Sequence, residues 1–172
     1  MSAKLNFEFK ARTNELTALE EKLLSLQPVF KGTDIQTDTY FNVQEGRLKL
    51  REGNIENALI HYIRPDLAGA KQSDILLYKH QPDATLKAIL VKTLGVKVVV
   101  KKSRKIYFVD NVKFHFDTLD NLGSFVEVEA IADDTHATLE AIQQQANYYR
   151  DFLGIREGDF VAVSYSDLVL GN

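Results

Sequence analysis

The stretch Asn6-Phe7-Glu8-Phe9-Lys10-Ala11-Arg12 decides the fold of this chain. Apolar and polar side chains alternate strictly along it. Because successive side chains of a β-strand point to opposite faces, the pattern predicts a strand with one apolar and one charged face. Later stretches repeat the alternation with basic residues on one face, and two acidic clusters accompany them. We therefore expect a charge-lined interior that can hold a polyanion and a metal.

The same periodicity predicts eight strands, near 4–12, 36–43, 46–52, 58–65, 74–80, 96–109, 111–118 and 124–132. Helices are expected near 14–26, 83–94 and 135–153, the last capped by Asp133 or Asp134. Ser164-Tyr165-Ser166-Asp167 fits a capping box for a short final helix. Mostly antiparallel strands favour a closed barrel, because closure removes exposed sheet edges. The predicted fold is α+β, an eight-stranded antiparallel β-barrel with flanking α-helices, in one domain spanning 1–172.

Composition narrows the classes of function. The 172 residues are 45% hydrophobic and 26% charged, which is typical of one globular domain. A net charge of −3 argues against a nucleic-acid partner, since such binders carry a clear basic excess. The chain has no cysteine, which excludes disulfides and thiolate metal sites. No secretory signal and no apolar run of membrane-spanning length is present, so we expect a cytoplasmic protein without membrane contact.

Basic residues that share a strand face are the first candidates for a binding site. Strand parity selects Lys10, Lys49, Arg51, Arg64, Lys79, Lys102 and Arg104. For any one strand, the alternative is an ordinary solvent-exposed face with the apolar residues turned inward. The recurrence of Arg and Lys on five or six strands, with few neutral polar residues between them, favours a phosphate-binding face.

Carboxylates are the second group of candidates. Glu8, Asp117, Glu127 and Glu129 would meet if the first, seventh and eighth predicted strands are neighbours. Oxygen ligands without cysteine or histidine suit Mg²⁺ or Mn²⁺. The alternative is that each carboxylate pairs with a nearby Lys or Arg. No glycine-rich phosphate loop occurs, so side chains must hold any phosphate, and the four histidines are expected to be structural or at the surface.

An ordered set of motifs covers nearly the whole chain. Asn6-Phe7-Glu8-Phe9-Lys10 corresponds to a Glu-x-Glu-x-Lys signature. Further matches are Asp38-Thr39-Tyr40-Phe41, Leu48-Lys49-Leu50-Arg51-Glu52, Arg64, Lys102-Ser103-Arg104, Tyr107, Asp117, Gly123-Ser124-Phe125-Val126-Glu127-Val128-Glu129 and Ser164-Tyr165-Ser166-Asp167-Leu168. The set resembles the CYTH superfamily, the triphosphate tunnel metalloenzymes, and is most similar to its class IV adenylate cyclase branch.

The resemblance implies a barrel whose tunnel holds a triphosphate and divalent metals, Mg²⁺ or Mn²⁺. Carried over by position, the phosphate-binding residues are Lys10, Arg51, Arg64, Lys102 and Arg104, and strand parity adds Lys49 and Lys79. The metal ligands are Glu8, Glu127 and Glu129. The catalytic residues are Lys10 and Asp117, the latter close to the metal or positioning the nucleophile. The resemblance also implies a homodimer.

One position departs from the signature. Asn6 stands where the family has its first glutamate, a metal-ligand position, and it brings an oxygen without a charge. The leading expectation is conversion of ATP to cyclic AMP and pyrophosphate. The alternatives are hydrolysis of thiamine triphosphate or inorganic triphosphate, and non-catalytic binding of organic polyphosphates, which the change at Asn6 makes conceivable.

Overall fold

The computed structural model describes residues 5–63, 71–72, 74–133, 135 and 138–171. Its strands are β1 (Asn6–Thr13), β2 (Val29–Phe41), β3 (Arg47–Glu52), β4 (Ala58–Ile63), β5 (Lys71–Gln72), β6 (Asp74–Lys79), β7 (Val96–Val109), β8 (Val112–Leu119) and β9 (Gly123–Ile131). Its helices are α1 (Leu16–Leu24), α2 (Ala84–Leu94), α3 (Leu139–Leu153) and α4 (Tyr165–Leu170). None of the helices in the described part of the chain is long and apolar enough to cross a membrane.

The strands form one antiparallel sheet in the order β5-β1-β9-β8-β7-β2-β3-β4-β6. Its two outermost strands are consecutive in the chain, because only residue 73 separates β5 from β6. The short β5 pairs with β1, and β6 pairs with β4, so the sheet curls until its ends approach one another. The structure confirms the predicted α+β fold, a curled antiparallel sheet with flanking helices. The two-residue strand β5 was not among the predicted strands.

The convex face of the sheet carries the main hydrophobic core. Apolar residues of β1, β8 and β9 alternate with the charged ones and pack under α1 and α3. Phe114 on β8 makes an edge-to-face contact with Tyr149 of α3, with ring centroids 4.9 Å apart. Burying this face beneath helices leaves the opposite, charged face of the same strands turned into the curl.

Two predicted boundaries are wrong. β2 begins at Val29 rather than at 36, because a bulge at Gly32 lets the segment keep pairing with the long β7. Gly32 has a φ of 126°, which a glycine adopts readily, and this break hid the strand in the sequence. α3 begins at Leu139, and its cap is Thr138, whose hydroxyl accepts a hydrogen bond from the Ala141 amide at 3.2 Å.

The C-terminal segment lies along the edge of β1 that β5 leaves open. The Val161 amide donates to the Lys10 carbonyl at 2.9 Å. The predicted capping box of α4 is confirmed, with Ser164 and Asp167 bonded to each other's backbone amides. Asp167 also accepts a hydrogen bond from Arg47 of β3 at 2.9 Å. α4 therefore packs against β7, reaches β3 through Asp167 and covers one side of the interior.

Candidate functional site: the charged interior of the sheet

Basic side chains of the sheet are buried in the curl rather than solvated. Lys10, Arg51, Lys102 and Arg104 are each at most 8% exposed. Lys, Arg and Glu are almost never buried unless they are paired, so such a cluster requires internal counter-charges. The alternative of ordinary solvent-exposed faces is therefore wrong for these strands, and the alternation correctly separated the two faces.

Asp38 on β2 is the counter-charge at one end of the interior. It is fully buried and accepts hydrogen bonds from Lys49 at 3.1 Å, Arg51 at 2.9 Å and Lys102 at 2.8 Å. Burial would raise the pKa of Asp38, but Arg51, Lys102 and Lys49 hold it well below its usual range. Three cations from β3 and β7, the two strands that flank β2, are thus gathered around one carboxylate.

Lys102 differs from the other cations of this group. Burial, together with the nearby Arg51, Arg104 and Lys49, lowers the pKa of Lys102 to about 7 although Asp38 opposes the shift. The ammonium group is therefore poised to gain or lose its proton near neutral pH. An added anion would favour the protonated form.

Arg104 on β7 organises a second group of charges. Its Nε donates to Asp117 Oδ1 at 2.7 Å and its Nη2 to Asp117 Oδ2, a two-point contact that fixes the guanidinium plane. Nη2 also donates to Glu127 at 2.8 Å, and Tyr165 of α4 donates to Asp117 at 2.7 Å. Burial would raise the pKa of Glu127, but Arg104 holds it well below its ordinary value.

Lys10 on β1 lies between this group and the C-terminal segment. Its Nζ donates to the Val163 carbonyl at 2.9 Å and is 4.0 Å from Glu127 Oε1. The same atom lies 4.1 Å from the centroid of the Tyr165 ring, within the range of a cation–π contact. The lysine signature residue of β1 therefore faces the interior beside a carboxylate.

The acidic side of the interior consists of β1 and β9. Glu8 and Glu129 are cross-strand partners, and Asn6 donates to Glu129 Oε1 at 2.7 Å. Burial and the adjacent Glu8 raise the pKa of Glu129. Two carboxylates that face each other in this way are stabilised by a cation between them.

This acidic group fits a divalent cation in its chemistry. The Oδ1 atom of Asn6 is buried and has no hydrogen-bond partner within the described residues, and the raised pKa of Glu129 reflects negative charge that is incompletely balanced. Carboxylate and amide oxygens are the hard donors that Mg²⁺ and Mn²⁺ prefer. Across the described ranges, no three Asp, Glu or His side chains are already grouped as a metal site. Glu127, the third predicted ligand, is held by Arg104.

Of the predicted phosphate-binding residues in the described part of the chain, Lys79 is not brought into the buried cluster. Lys79 on β6 is in register with Ala58, the cross-strand neighbour of Arg51, but its side chain is exposed. Arg64 lies outside the described residues. The interior cations in the described part of the chain thus come mainly from β1, β3, β7 and β8.

Three interior residues were missed from the sequence. Asp38 had a usable signal, since it alternates with Gln36 and Tyr40 within a predicted strand. His115, which was expected to be structural or at the surface, has the parity of Lys113 and Asp117; it is buried, and its Nδ1 is 3.2 Å from Glu127. Glu56 belongs to a loop without periodicity and gave no signal.

Known proteins match this chain in both sequence and fold. The CYTH domain family model matches residues 4–165. Adenylate cyclase CyaB of Aeromonas hydrophila is 29% identical over 169 residues, which are 94% of this chain and 86% of that protein.

Two solved structures share the fold. The PH1012 protein of Pyrococcus horikoshii OT3 superposes with a TM-score of 0.80 at 23% identity, over 95% of this chain and 98% of that one. HpAC1 of Hippeastrum, an adenylyl cyclase candidate described as having a dominant triphosphatase activity, gives 0.63 at 13% identity, over 97% and 94%. With the family model covering nearly its whole length, this chain belongs to the CYTH domain family, the triphosphate tunnel metalloenzymes, which act on triphosphates and depend on a metal.

Proposed function

We propose that this protein is a metal-dependent adenylate cyclase that converts ATP to cyclic AMP and pyrophosphate. The observation that carries the proposal is the set of buried cations from β1, β3 and β7, which face the acidic pair Glu8 and Glu129 across one interior. A triphosphate needs several fixed positive charges along its length and a cation at its reacting end. The similarity to CyaB over nearly the whole chain favours the cyclase reaction over others that use the same interior.

In this proposal the basic residues bind and orient the triphosphate. Lys49, Arg51, Lys102 and Arg104 neutralise the β- and γ-phosphates and stabilise the charge that develops on the pyrophosphate leaving group. Lys10 reaches the reacting phosphate from β1. Asp117 acts as a positioning residue, since it fixes the plane of Arg104 and accepts a hydrogen bond from Tyr165.

The predicted metal ligands hold the reacting end. Glu8, Glu129 and Asn6 would hold Mg²⁺ or Mn²⁺, with Glu127 turning to the metal from its contact with Arg104. A cation bound there would lower the pKa of the attacking 3′-hydroxyl and neutralise the α-phosphate. No side-chain nucleophile is required, because the ribose of the substrate supplies it.

A triphosphatase reaction is the second candidate. His115 favours it: burial, with Arg104 and Lys113 nearby, lowers its pKa to about 4, so the imidazole is neutral at pH 7. Its Nε2 atom is buried and has no hydrogen-bond partner within the described residues, so it is available to orient a water molecule. The same triphosphate clamp then serves attack by water on the terminal phosphorus.

A product assay separates these reactions. The purified protein is incubated with ATP, thiamine triphosphate or inorganic triphosphate, each with Mg²⁺ or Mn²⁺, and the products are resolved. Cyclic AMP with equimolar pyrophosphate is the expected result. Orthophosphate from any of the three substrates, without cyclic AMP, would replace the cyclase with the triphosphatase. Tight triphosphate binding without turnover would indicate a non-catalytic polyphosphate-binding protein.

The lowered pKa of Lys102 predicts that triphosphate binding takes up a proton. With a pKa of about 7, Lys102 carries less than a full charge at pH 8 in the free protein, and a bound anion restores it, so the wild type should take up more protons on binding than a variant with a permanent charge at this position. Affinity consequently falls as the pH rises above 7. Calorimetric titrations with inorganic tripolyphosphate at pH 8, in two buffers of different ionisation enthalpy, measure the uptake. Lys102→Arg, which stays charged, should lack this uptake, and the protons that tripolyphosphate itself releases are common to both proteins; equal net proton exchange in the two would contradict the prediction.

Substituting Asn6→Glu tests the acidic side of the interior. A glutamate there removes the hydrogen bond to Glu129 and adds a carboxylate beside one whose pKa is already raised. We expect a lower melting temperature without metal and a larger rise on adding Mn²⁺ than in the wild type. A melting temperature equally insensitive to Mn²⁺ in both proteins would contradict the placement of the metal. A large gain in turnover would show that Asn6 had weakened the site.

A further inference from the structure

Glu56 reaches into the interior from the loop between β3 and β4 and joins cations of two strands that are not adjacent. Its Oε1 accepts a hydrogen bond from Lys113 of β8 at 2.5 Å. Its Oε2 accepts from Arg51 of β3 at 3.1 Å and from Gln36 of β2 at 3.2 Å. In the sheet, β7 and β2 lie between β8 and β3, so this carboxylate bridges across the curl.

The loop that carries Glu56 is held firmly. The amides of Ile55 and Glu56 both donate to the buried carboxylate of Asp34 at 2.9 Å. Gly53 and Asn57 close the loop through two reciprocal hydrogen bonds. A Cβ at Gly53 would lie 2.5 Å from Asp34 Oδ1, so the approach requires glycine. The backbone of Glu56 is therefore fixed, and only its side chain can move.

Glu56 is more accessible than the other interior counter-charges. Its side chain is 26% exposed, compared with 22% for Glu127 and at most 1% for Asp38 and Asp117. Burial would raise the pKa of Glu56, but Lys113 and Arg51 hold it well below its ordinary value, so it is ionised near neutral pH. An ionised carboxylate beside solvent can swing outward at far lower cost than one that is fully buried.

We propose that Glu56 is a built-in counter-ion that occupies the place of one phosphate group and is displaced when a triphosphate binds. The inference deepens the proposed function and rests on it. An incoming anion must replace Glu56 at Arg51 and Lys113 together, which are presented by separate strands. A single phosphate can take both contacts, as the Glu56 carboxylate does, but it gains few others, whereas the remaining phosphate groups of a triphosphate also reach Lys102 and Arg104. Glu56 thus raises the threshold for anion binding, and only a long polyanion makes enough further contacts to offset its displacement.

The test is calorimetric titration, without divalent metal, of the wild type and Glu56→Gln with inorganic tripolyphosphate, pyrophosphate and phosphate. Removing a competing charge-assisted contact should tighten tripolyphosphate binding about tenfold. Pyrophosphate and phosphate should gain by a similar factor, because each must displace the same carboxylate. The unliganded variant should melt at a lower temperature and gain more thermal stability on binding, because Lys113 loses the carboxylate that it contacts and Arg51 keeps only Asp38.

Glu52→Gln is the matched control, since Glu52 also pairs with a lysine, Lys87 at 2.6 Å, but on the other face of β3. It should leave anion binding unchanged. Glu56→Asp keeps the charge and shortens the reach, and should fall between the wild type and Glu56→Gln. Unchanged or weaker binding by Glu56→Gln, with the wild type binding tightly, would overturn the inference alone. Failure of the wild type to bind tripolyphosphate would overturn the proposed function and the inference with it.

Discussion

Replacing Arg104 by alanine is expected to lower ATP turnover by about 10³-fold, the scale of losing a key cation in phosphoryl chemistry. The guanidinium binds Asp117 through Nε and Nη2, and its Nη2 also donates to Glu127. Its removal leaves the fully buried Asp117 without its cation and Glu127 without its nearest one, so the free energy of unfolding should fall by about 3–5 kcal/mol. Turnover and urea denaturation measure the two effects.

Arg104→Lys separates charge from geometry. It keeps the positive charge but cannot hold Asp117 at two points, so we expect recovery of stability with most of the loss in turnover retained. Lys101→Ala, at an exposed position on the same strand, is the control and should match the wild type. Turnover of Arg104→Ala within tenfold of the wild type would contradict the placement of the triphosphate at this strand.

A comparable loss of stability is expected from Asp38→Asn. Lys49, Arg51 and Lys102 share this fully buried carboxylate, and the amide cannot balance their charges. Breaking a buried ionic cluster by removing one partner costs about 3–5 kcal/mol. Urea denaturation at pH 7 checks this value. Asp120→Asn, at an exposed position, is the matched control and should change stability by less than about 0.5 kcal/mol.

The pH dependence of this loss has a definite sign. The folded pKa of Asp38 lies below the unfolded value of about 4, so its contribution is complete above that pH. As the pH falls from there through the folded pKa, the wild type loses this contribution and the two proteins converge. A difference in stability that stays constant down to pH 3, or one below about 1 kcal/mol at pH 7, would contradict the role of Asp38.

Strand alternation predicted the two faces of the sheet because the side-chain period of a strand is two. The apolar residues of β1, β8 and β9 pack under α1 and α3, and Lys10, Lys102 and Arg104 turn inward as expected. The pattern was informative here because both faces are buried. A polar face that forms an interior shows a density of charge that a solvated face does not.

What alternation cannot provide is the pairing of charges across the interior. Asp38 lay in a predicted strand, but its three partners follow from the register of β2 with β3 and β7. Glu56 comes from a loop whose position depends on hydrogen bonds to Asp34. The exposure of Lys79 likewise depends on how β6 lies at the end of the sheet, not on its parity.

The bulge at Gly32 shows that the local sequence pattern also fails to predict some backbone structure. A glycine followed by Thr33 and Asp34 is typical of a turn, yet the long β7 supplies pairing partners on both sides of it. Tertiary pairing therefore extended β2 beyond its local pattern. Thr138 replaced the predicted aspartate caps of α3 for a comparable reason, since the helix starts where it can pack on β1 and β9.

A crystal structure of the protein soaked with inorganic tripolyphosphate and Mn²⁺ would test the central claim most directly. The account predicts phosphate density inside the curl, in contact with Arg51, Lys102 and Arg104. It also predicts an anomalous manganese peak beside Glu8 and Glu129, with Glu56 swung away from Lys113. Triphosphate bound only on the outer surface, with the interior ion pairs unchanged, would contradict the account.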